Sequence, residues 1–358
     1  MDLISAKDAA KKWGVTQRRI STLCSRGRIP GAVIVGNSWV IPGDAEKPED
    51  ARANRYNQPT ENTAKPFLKW AGGKSQLIDK ISAYYPFDTD STITKYAEPF
   101  VGGGAVLFDI LNKYQLEEIY IGDINYDLIN AYTIVKEDVD GLISMLKVLE
   151  DEYLPLNKDE RLVIYKKNRE RFNVLRTGKE TGTALERAAL MIFLNRTCFN
   201  GLFRVNRKGE YNVPMGAYKN PCICDENNLR TVSEKLKNAT IMCGHFRESN
   251  EFIDEHTFVY FDPPYRPLPD SSSFTAYDEN GFNDESQIEL ANYVQDLDAR
   301  NVKIVLSNSD PKNVDENDNF FDDLYAKQHI HRVEASRMIN SNASGRGKIK
   351  ELLVTNIR

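Results

Sequence analysis

The chain has 358 residues, 41% of them apolar and 28% charged, a globular composition with room for two or three domains. That balance excludes long disorder and collagen-like repeats, and no run approaches the roughly 18 consecutive apolar residues that cross a bilayer. The net charge of −5 hides a split: residues 1–55 hold 10 Lys and Arg against 6 Asp and Glu, and the remainder holds 37 against 46. A partner bearing phosphates would therefore have to meet local basic patches.

The first residues carry Asp2, Lys7 and Asp8 with no apolar stretch, so no signal peptide is expected. The default expectation is a cytoplasmic protein, bacterial or phage-encoded. Ser5 can cap a helix over Ala6–Trp13, which Gly14 breaks, and Thr16 can cap a second over Gln17–Ser25. Gln17, Arg18, Arg19 and Ser21 fall in the first turns of that second helix. Ala32–Val35, the pair Gly36-Asn37 and Ser38–Ile41 then read as a hairpin with a two-residue turn. Two short helices with a tight turn and a hairpin resemble small winged helix-turn-helix domains of the excisionase and MerR kind, which implies contact with DNA. A protein-docking module is the alternative. Residues 43–64, with Gly43, Pro48 and Pro59 and almost nothing apolar, have the composition of a linker.

From residue 65 the pattern alternates. Strand-like runs occur at Thr92–Ala97, Glu118–Gly122, Thr257–Phe261, Lys303–Ser307 and Glu351–Thr355, with helical stretches such as Thr183–Leu194 and Asp284–Leu297 between them. This predicts an α/β fold with a mostly parallel sheet, whose ligands bind beyond the carboxyl ends of the strands. After the first strand comes Glu98-Pro-Phe-Val-Gly-Gly-Gly104, a turn that lets backbone approach a ligand closely. Asp123 follows the second strand, about 20 residues on, where an acidic residue can accept hydrogen bonds from a ribose hydroxyl pair. The glycine triplet lacks the G-x-G-x-x-G spacing, which favours an adenosyl ligand smaller than a dinucleotide. The Gly73-Lys74-Ser75 ending of Phe67–Ser75 invites a phosphate-loop reading, which fails because Leu68 stands where a Gly is needed.

After Thr257–Phe261 stands Asp262-Pro-Pro-Tyr265. Two prolines hold the backbone extended and remove two N–H donors, so the carbonyls and the Asp262 carboxylate present acceptors. An exocyclic amino group could be held between two such acceptors, with the Tyr265 ring as a surface for a base. The five cysteines, an odd number, are read as buried reduced thiols. Cys222-Ile-Cys224 and Cys243-Gly-His245 lack common zinc spacing, and no metal is expected.

Taken in order, Phe67–Ser75, Glu98–Gly104, Asp123-Ile-Asn-Tyr-Asp127 and Asp262–Tyr265 resemble the Dam family of DNA N6-adenine methyltransferases, the D12 class or alpha group. The likeness spans roughly residues 65–358. It implies a Rossmann-like S-adenosylmethionine-dependent methyltransferase sheet with an inserted, mostly helical target-recognition domain. The reaction implied is methyl transfer from S-adenosylmethionine to N6 of an adenine flipped out of duplex DNA. By resemblance, Asp262, Pro263, Pro264 and Tyr265 are catalytic. Trp70, Lys74, Glu98, Phe100, Gly102, Gly104, Asp123 and Asp262 would line the cofactor site.

Residues 196–219 hold Arg196, Arg204, Arg207, Lys208 and Lys219 against Glu210, interleaved with Phe199, Phe203, Tyr211 and Tyr218. Basic and aromatic residues in such a stretch suit phosphate contact, base reading and wedging between base pairs. The resemblance implies a GATC target, with Lys69, Phe199, Asn200, Leu202, Arg204, Pro214 and Tyr218 at the DNA. Ala217 and Phe199 depart from residues of some relatives, a basic residue and a Tyr. Arg337 and Arg346 flank Asn340–Ser344 and read either as a phosphate-binding loop or as a flexible surface loop. The expected division is 1–50 for the winged domain, 51–64 for the linker, 65–139 and 251–358 for catalysis, and 140–250 for recognition. A cognate restriction endonuclease is left open as a partner. Two other readings remain at this point: an RNA or protein amino-methyltransferase, and a DNA-binding regulator with a ligand-binding methyltransferase-like domain.

Overall fold

The computed structural model describes residues 3–25, 28–36, 38–47, 63–266, 282–336 and 348–357. It divides into two compact units, residues 1–62 and 63–358. In the first, strand β1 (Leu3–Ser5) runs into helix α1 (Ala6–Trp13), and α2 (Gln17–Ser25) comes after a short turn. Ser5 caps α1: its hydroxyl accepts from the Asp8 N–H at 3.2 Å and donates to the Asp8 carboxylate at 2.6 Å. Strands β2 (Val33–Val35) and β3 (Ser38–Pro42) pair antiparallel, and β1 lies on the other side of β3. Ala9, Ala10, Ile20, Leu23, Ile29 and Ile41 form a small buried core between helices and sheet. Both helices and the hairpin occur where the sequence predicts them; β1 was not expected. Gln17 is exposed and Ser21 half-buried, while the side chains of Arg18 and Arg19 lie outside the described residues.

In the second unit the helices are α3 (Ile78–Ile81), α4 (Ala105–Lys113), α5 (Tyr126–Glu137), α6 (Val139–Tyr153), α7 (Lys158–Arg176), α8 (Ala184–Thr197), α9 (Glu226–Lys235), α10 (Asp284–Ala299) and α11 (Phe320–Leu324). The strands are β4 (Lys95–Glu98), β5 (Glu118–Asp123), β6 (Ala239–Cys243), β7 (Thr257–Phe261), β8 (Lys303–Ser309), β9 (His329–Ser336) and β10 (Lys348–Thr355). They form one seven-stranded sheet in the order β6-β5-β4-β7-β8-β10-β9. The first five are parallel, and β10 runs antiparallel to both β8 and β9.

Helices cover both faces, which is why the central strands are apolar throughout. Every residue of β7 is buried. Tyr96, Phe258 and Tyr260 point into the core shared with α4 and α5, whereas Ala97, Val259 and Phe261 point into the core shared with α10. The chain winds outward from β4 through β5 to β6 on one side, and from β7 to β8 on the other. The order therefore reverses between β4 and β7, and the crevice beyond their carboxyl ends is the expected ligand position.

Between β5 and β6, residues 124–238 carry five helices where one would complete a parallel crossover. The span expected as a separate recognition insertion, 140–250, contains β6. That strand pairs with β5 from Ile119↔Ala239 to Asp123↔Cys243, so residues 239–243 belong to the sheet. No helix among the described residues is long and apolar enough to cross a membrane.

Candidate active site

The site is built at the carboxyl ends of three neighbouring strands. Asp123 ends β5, Glu98 ends β4 and Asp262 comes directly after β7. Asp123 is held by backbone donors: Oδ1 accepts the Asn125 N–H at 2.9 Å and Oδ2 accepts the Gly102 N–H at 3.2 Å. Burial nevertheless pushes its carboxyl up to about 6, with the N–H groups of Asn125, Gly102 and Ile124 pulling the other way. Gly102 sits at a φ of +47°, and a Cβ there would meet Cδ1 of Trp70 at 3.0 Å. Glycine is thus required for the turn that brings this backbone against the Trp70 ring. Gly104 opens α4.

Glu98 is 2% exposed, accepts from the Tyr96 hydroxyl at 2.7 Å and is held well above the usual carboxylate range by burial. Phe100 is half-buried, and its ring packs on Phe246 at 5.5 Å and Phe282 at 5.7 Å. Sequence reading passed over Ile124. It is 60% exposed immediately after Asp123, an apolar side chain at the rim of the strand ends. Its position after an acidic strand terminus was the available signal.

Asp262 is gripped from one side. Lys74, 5% exposed, places Nζ 2.7 Å from Oδ1, and the Ser307 hydroxyl donates to the same oxygen at 3.1 Å. The register of β7 with β8, Phe261 opposite Leu306, puts Ser307 beside Asp262. Since Ser307 gives its only hydroxyl proton to Asp262, the buried Tyr260 hydroxyl 2.8 Å away must be the donor to Ser307. Oδ2 has no donor among the described residues. Burial raises the Asp262 pKa, opposed by the Lys74 charge and by the hydrogen bonds from Lys74 and Ser307.

Lys74 also donates to the Tyr265 hydroxyl at 2.8 Å and to the Gly72 carbonyl at 3.1 Å. Tyr265 in turn donates to Glu351 of β10 at 2.6 Å. The Pro264 carbonyl accepts from the Gln287 side chain at 3.0 Å; the Pro263 carbonyl accepts from nothing among the described residues.

The stretch 198–218 folds as two short paired loops beside Lys69 and Trp70. Cys198 bridges to Met215, Val205 bridges to Tyr211, and the Phe199 N–H donates to the Pro214 carbonyl at 2.9 Å. Asn195, buried and missed by sequence reading, ties these loops to the motif at residue 69. Its amide accepts from the Lys69 N–H at 2.8 Å and donates to the carbonyls of Lys69 and Gly201. Gly201 has a φ of +65°, and a Cβ would meet Lys69 Cβ at 2.4 Å, so only glycine fits this contact. Lys69 Nζ lies 4.0 Å from the centre of the Tyr218 ring.

Phe199 is 52% exposed, and Asn200, Arg204, Pro214 and Tyr218 are exposed as well; Leu202 is half-buried. Arg204 Nε donates to Asn212 Oδ1 at 2.7 Å, which steadies the guanidinium from behind. Phe203 and Tyr211, expected among the interleaved contact aromatics, are buried instead. Phe203 stacks on Trp70 at 5.6 Å, and the Tyr211 hydroxyl donates to the Leu202 carbonyl, so both serve as the platform under the loops. Arg337 and Arg346 lie outside the described residues.

The fold is thus a mostly parallel α/β sheet with a strand-end cleft, and a basic, aromatic loop pair is joined to it through Lys69 and Trp70. Over residues 70–339 the sequence matches the D12 class N6 adenine-specific DNA methyltransferases, and the chain belongs to that family. It is 50% identical to the Type II methyltransferase M.MjaIII of Methanocaldococcus jannaschii over 294 residues, 82% of this chain and 99% of that relative. It is 37% identical to the Type II methyltransferase M1.LlaDCHI of Lactococcus lactis subsp. cremoris over 300 residues, covering 82% of this chain and 95% of that one. It is 36% identical to the DNA adenine methylase of Escherichia coli (strain K12) over 287 residues, 80% of this chain and 93% of the relative.

The protein is thus an enzyme that methylates N6 of adenine in DNA, and a methyl donor and DNA are its substrates. That membership overturns the alternatives of a ligand-binding regulator and of an RNA or protein amino-methyltransferase. Among the described residues no cluster of His, Cys, Asp and Glu is arranged to hold a metal ion.

Proposed function

We propose that the methyl donor is S-adenosylmethionine, held at the carboxyl ends of β4 and β5, and that the target is the adenine of GATC in duplex DNA. The donor set fits. Each oxygen of Asp123 already takes one backbone N–H and keeps a lone pair, which suits the two hydroxyls of a ribose. Exposed Ile124 beside it offers an apolar face to an adenine ring. Trp70, Lys74, Glu98, Phe100, Gly102 and Gly104 would hold the rest of the donor. S-adenosylmethionine, when bound, supplies an electrophilic sulfonium methyl.

The chain's own work is to orient the nucleophile. Adenine N6 is a weak nucleophile because its lone pair is delocalised into the ring. Asp262 Oδ2 and the Pro263 carbonyl accept its two protons, localise the lone pair and offset the positive charge that develops on nitrogen. Asp262 is an orienting acceptor in this reading, and the Tyr265 ring stacks on the flipped base. Arg204 reads a guanine edge, Lys69 the other guanine, Leu202 and Pro214 a thymine methyl, Phe199 wedges into the duplex, and Asn200 and Tyr218 complete the surface. The helices inserted between β5 and β6 carry this recognition surface. Residues 1–50 act as a winged helix-turn-helix that adds DNA affinity, joined through 51–64. Arg337 and Arg346 contact phosphates.

The observation that carries the catalytic part is the division of labour at Asp262: Oδ1 doubly held by Lys74 and Ser307, Oδ2 without a protein donor. Single-turnover transfer of label from S-adenosylmethionine to duplexes containing GATC, and to each single-base variant, tests the proposal. Transfer to the GATC adenine with strong discrimination is expected. Equal labelling of the variants would remove the target assignment, and turnover that needs another donor would remove the cofactor assignment.

A further inference from the structure

Behind the Asp262–Tyr265 loop lies a buried amide relay whose hydrogen bonds all go to protein groups. Gln287, in the first turns of α10, and Asn308, in β8, are both fully buried. Asn308 Oδ1 accepts the backbone N–H of Ser309 at 2.8 Å. A backbone N–H can only donate, so this bond fixes which end of the Asn308 amide is oxygen. Its Nδ2 must therefore face Gln287, and it donates to Gln287 Oε1 at 3.1 Å. Gln287 is oriented in turn: its Nε2 donates to the Pro264 carbonyl at 3.0 Å. The polarity runs one way, from a strand backbone through two side chains to the loop.

We propose that Gln287 and Asn308 are positioning residues for methyl transfer: by occupying the Pro264 carbonyl they leave the Pro263 carbonyl as the loop acceptor for the adenine amino group. The two prolines remove the N–H donors that would otherwise fix this backbone, so something else must choose between two adjacent carbonyls. Two successive prolines favour a polyproline-like backbone, in which neighbouring carbonyls point in different directions, about a third of a turn apart. Tying Pro264 O toward α10 therefore leaves Pro263 O aimed elsewhere, free to accept from the amino group. The inference rests on the reading of Asp262–Tyr265 as the reacting loop.

Gln287→Glu tests it with little change in shape. Ionised, the new carboxyl still accepts from Asn308 but meets the Pro264 carbonyl as a second acceptor, and the loop is released. Protonated, it donates to Pro264 O and accepts from Asn308, as the amide does. Single-turnover rates are therefore expected to fall by roughly 10- to 100-fold at pH 8, the scale of a misplaced reacting group. S-adenosylmethionine affinity should stay within about twofold, and the rate relative to wild type should recover as pH falls. The carboxyls on the surrounding elements (Asp262 on the loop, Asp284 and Glu285 in α10, Asp310 after β8), and Arg266, paired with Asp284, are common to both proteins and cancel in that ratio. Asn308→Asp should produce the same rate defect. It removes the donor to Gln287 and draws the Gln287 amide nitrogen away from Pro264.

Gln287→Met, which cannot donate to Pro264 O at any pH, should show the same rate defect throughout; wild-type rates for it would overturn the inference, as would an equal loss at every pH for Gln287→Glu together with lost cofactor affinity. Asp262→Ala, which removes the acceptor outright, is assayed alongside. If it retains wild-type turnover, the loop is not the reacting one; if it is inactive while Gln287→Met is normal, only the relay fails.

Discussion

The cleft at the strand ends and the loop surface beside it solve opposite problems with the same residue types. In the cleft, polar groups are buried and nearly all engaged with protein: Lys74 with three acceptors, Ser307 between two oxygens, Gln287 and Asn308 in series. On the loops, Phe199, Pro214 and Tyr218 are exposed, and it is their support that is buried, in Asn195, Phe203 and Tyr211. The cleft's polar groups are held by protein partners, which suits a reaction gaining from fixed acceptors. The surface holds rigid anchors and leaves contact groups to meet a partner. Changes in the cleft should therefore appear in rate, and changes on the loops in discrimination.

The sharpest break in that contrast comes at Asp262. Asp262→Ala removes one of two acceptors while Lys74 keeps the Gly72 carbonyl and the Tyr265 hydroxyl as partners, so the fold should survive. A drop of about 10²–10³ in the single-turnover rate is expected, the usual consequence of losing one transition-state hydrogen-bond partner. Thermal melting together with a quench assay checks it, and near-wild-type turnover by the folded variant would void the assignment.

Arg204→Ala probes the other side. A lost bidentate contact should cost about 1–3 kcal/mol at a single base pair, with the cofactor affinity untouched. Comparing kcat/KM on the target and on duplexes altered at that pair gives the answer. Uniform weakening on every sequence would make Arg204 a phosphate contact. Asn212→Ala should produce a smaller version of the same effect, because it leaves the Arg204 side chain in place and removes only the acceptor that steadies its guanidinium.

Asp123 offers a milder test through pH. Its carboxyl lies at about 6 in the folded protein, above the ordinary 3.8. Only the ionised form can accept from both hydroxyls of a ribose, so S-adenosylmethionine affinity should be flat above pH 7 and decline through 6. By pH 5 about one-tenth of the protein is ionised, and affinity should be roughly tenfold weaker. For folding the sign is opposite. A raised acid contributes stability that is fully present below the unfolded value and lost as pH rises through the folded one, so acid unfolding does not arise from this group. Calorimetric titration from pH 8 to 5 checks the limb, and Asp123→Asn should bind weakly without it.

Sequence alone made the strand-end residues legible because chemistry and local geometry coincide there. A glycine turn, an acidic strand terminus and Asp-Pro-Pro-Tyr are each written in consecutive residues. β6 and β9 were not legible. Both are edge strands with half their faces outside the core, so Ala239-Thr-Ile-Met-Cys243 and His329-Ile-His-Arg332 lack the apolar run that marked β7. The division of the aromatics between 199 and 218 was equally hidden. Which of Phe199, Phe203, Tyr211 and Tyr218 faces out depends on Trp70, more than 120 residues earlier in the chain. The amide relay also joins distant segments, with Asn308 and Gln287 carrying no motif of their own.

The smallest expected effect comes from deleting residues 1–62, and it tests whether rate and base choice are both confined to the second unit. The archaeal relative is matched over nearly its whole length by a span about the size of that unit, which leaves no room for an added domain in it. The truncated enzyme should keep its target and its single-turnover rate. The removed segment holds an excess of basic over acidic residues, and its loss should weaken binding to long DNA by a few phosphate contacts. Each such contact carries about 0.9 log unit of affinity per log unit of salt, so the slope of log affinity against log salt should become shallower by one to a few multiples of ~0.9. Binding isotherms between about 50 and 200 mM salt, on a long duplex and on a short oligonucleotide, measure it. The short duplex, which leaves little DNA beyond the catalytic unit, should show the smaller change. An unchanged slope would make the N-terminal unit a docking module for a protein, and a changed methylation site would mean that base choice is shared between the two units.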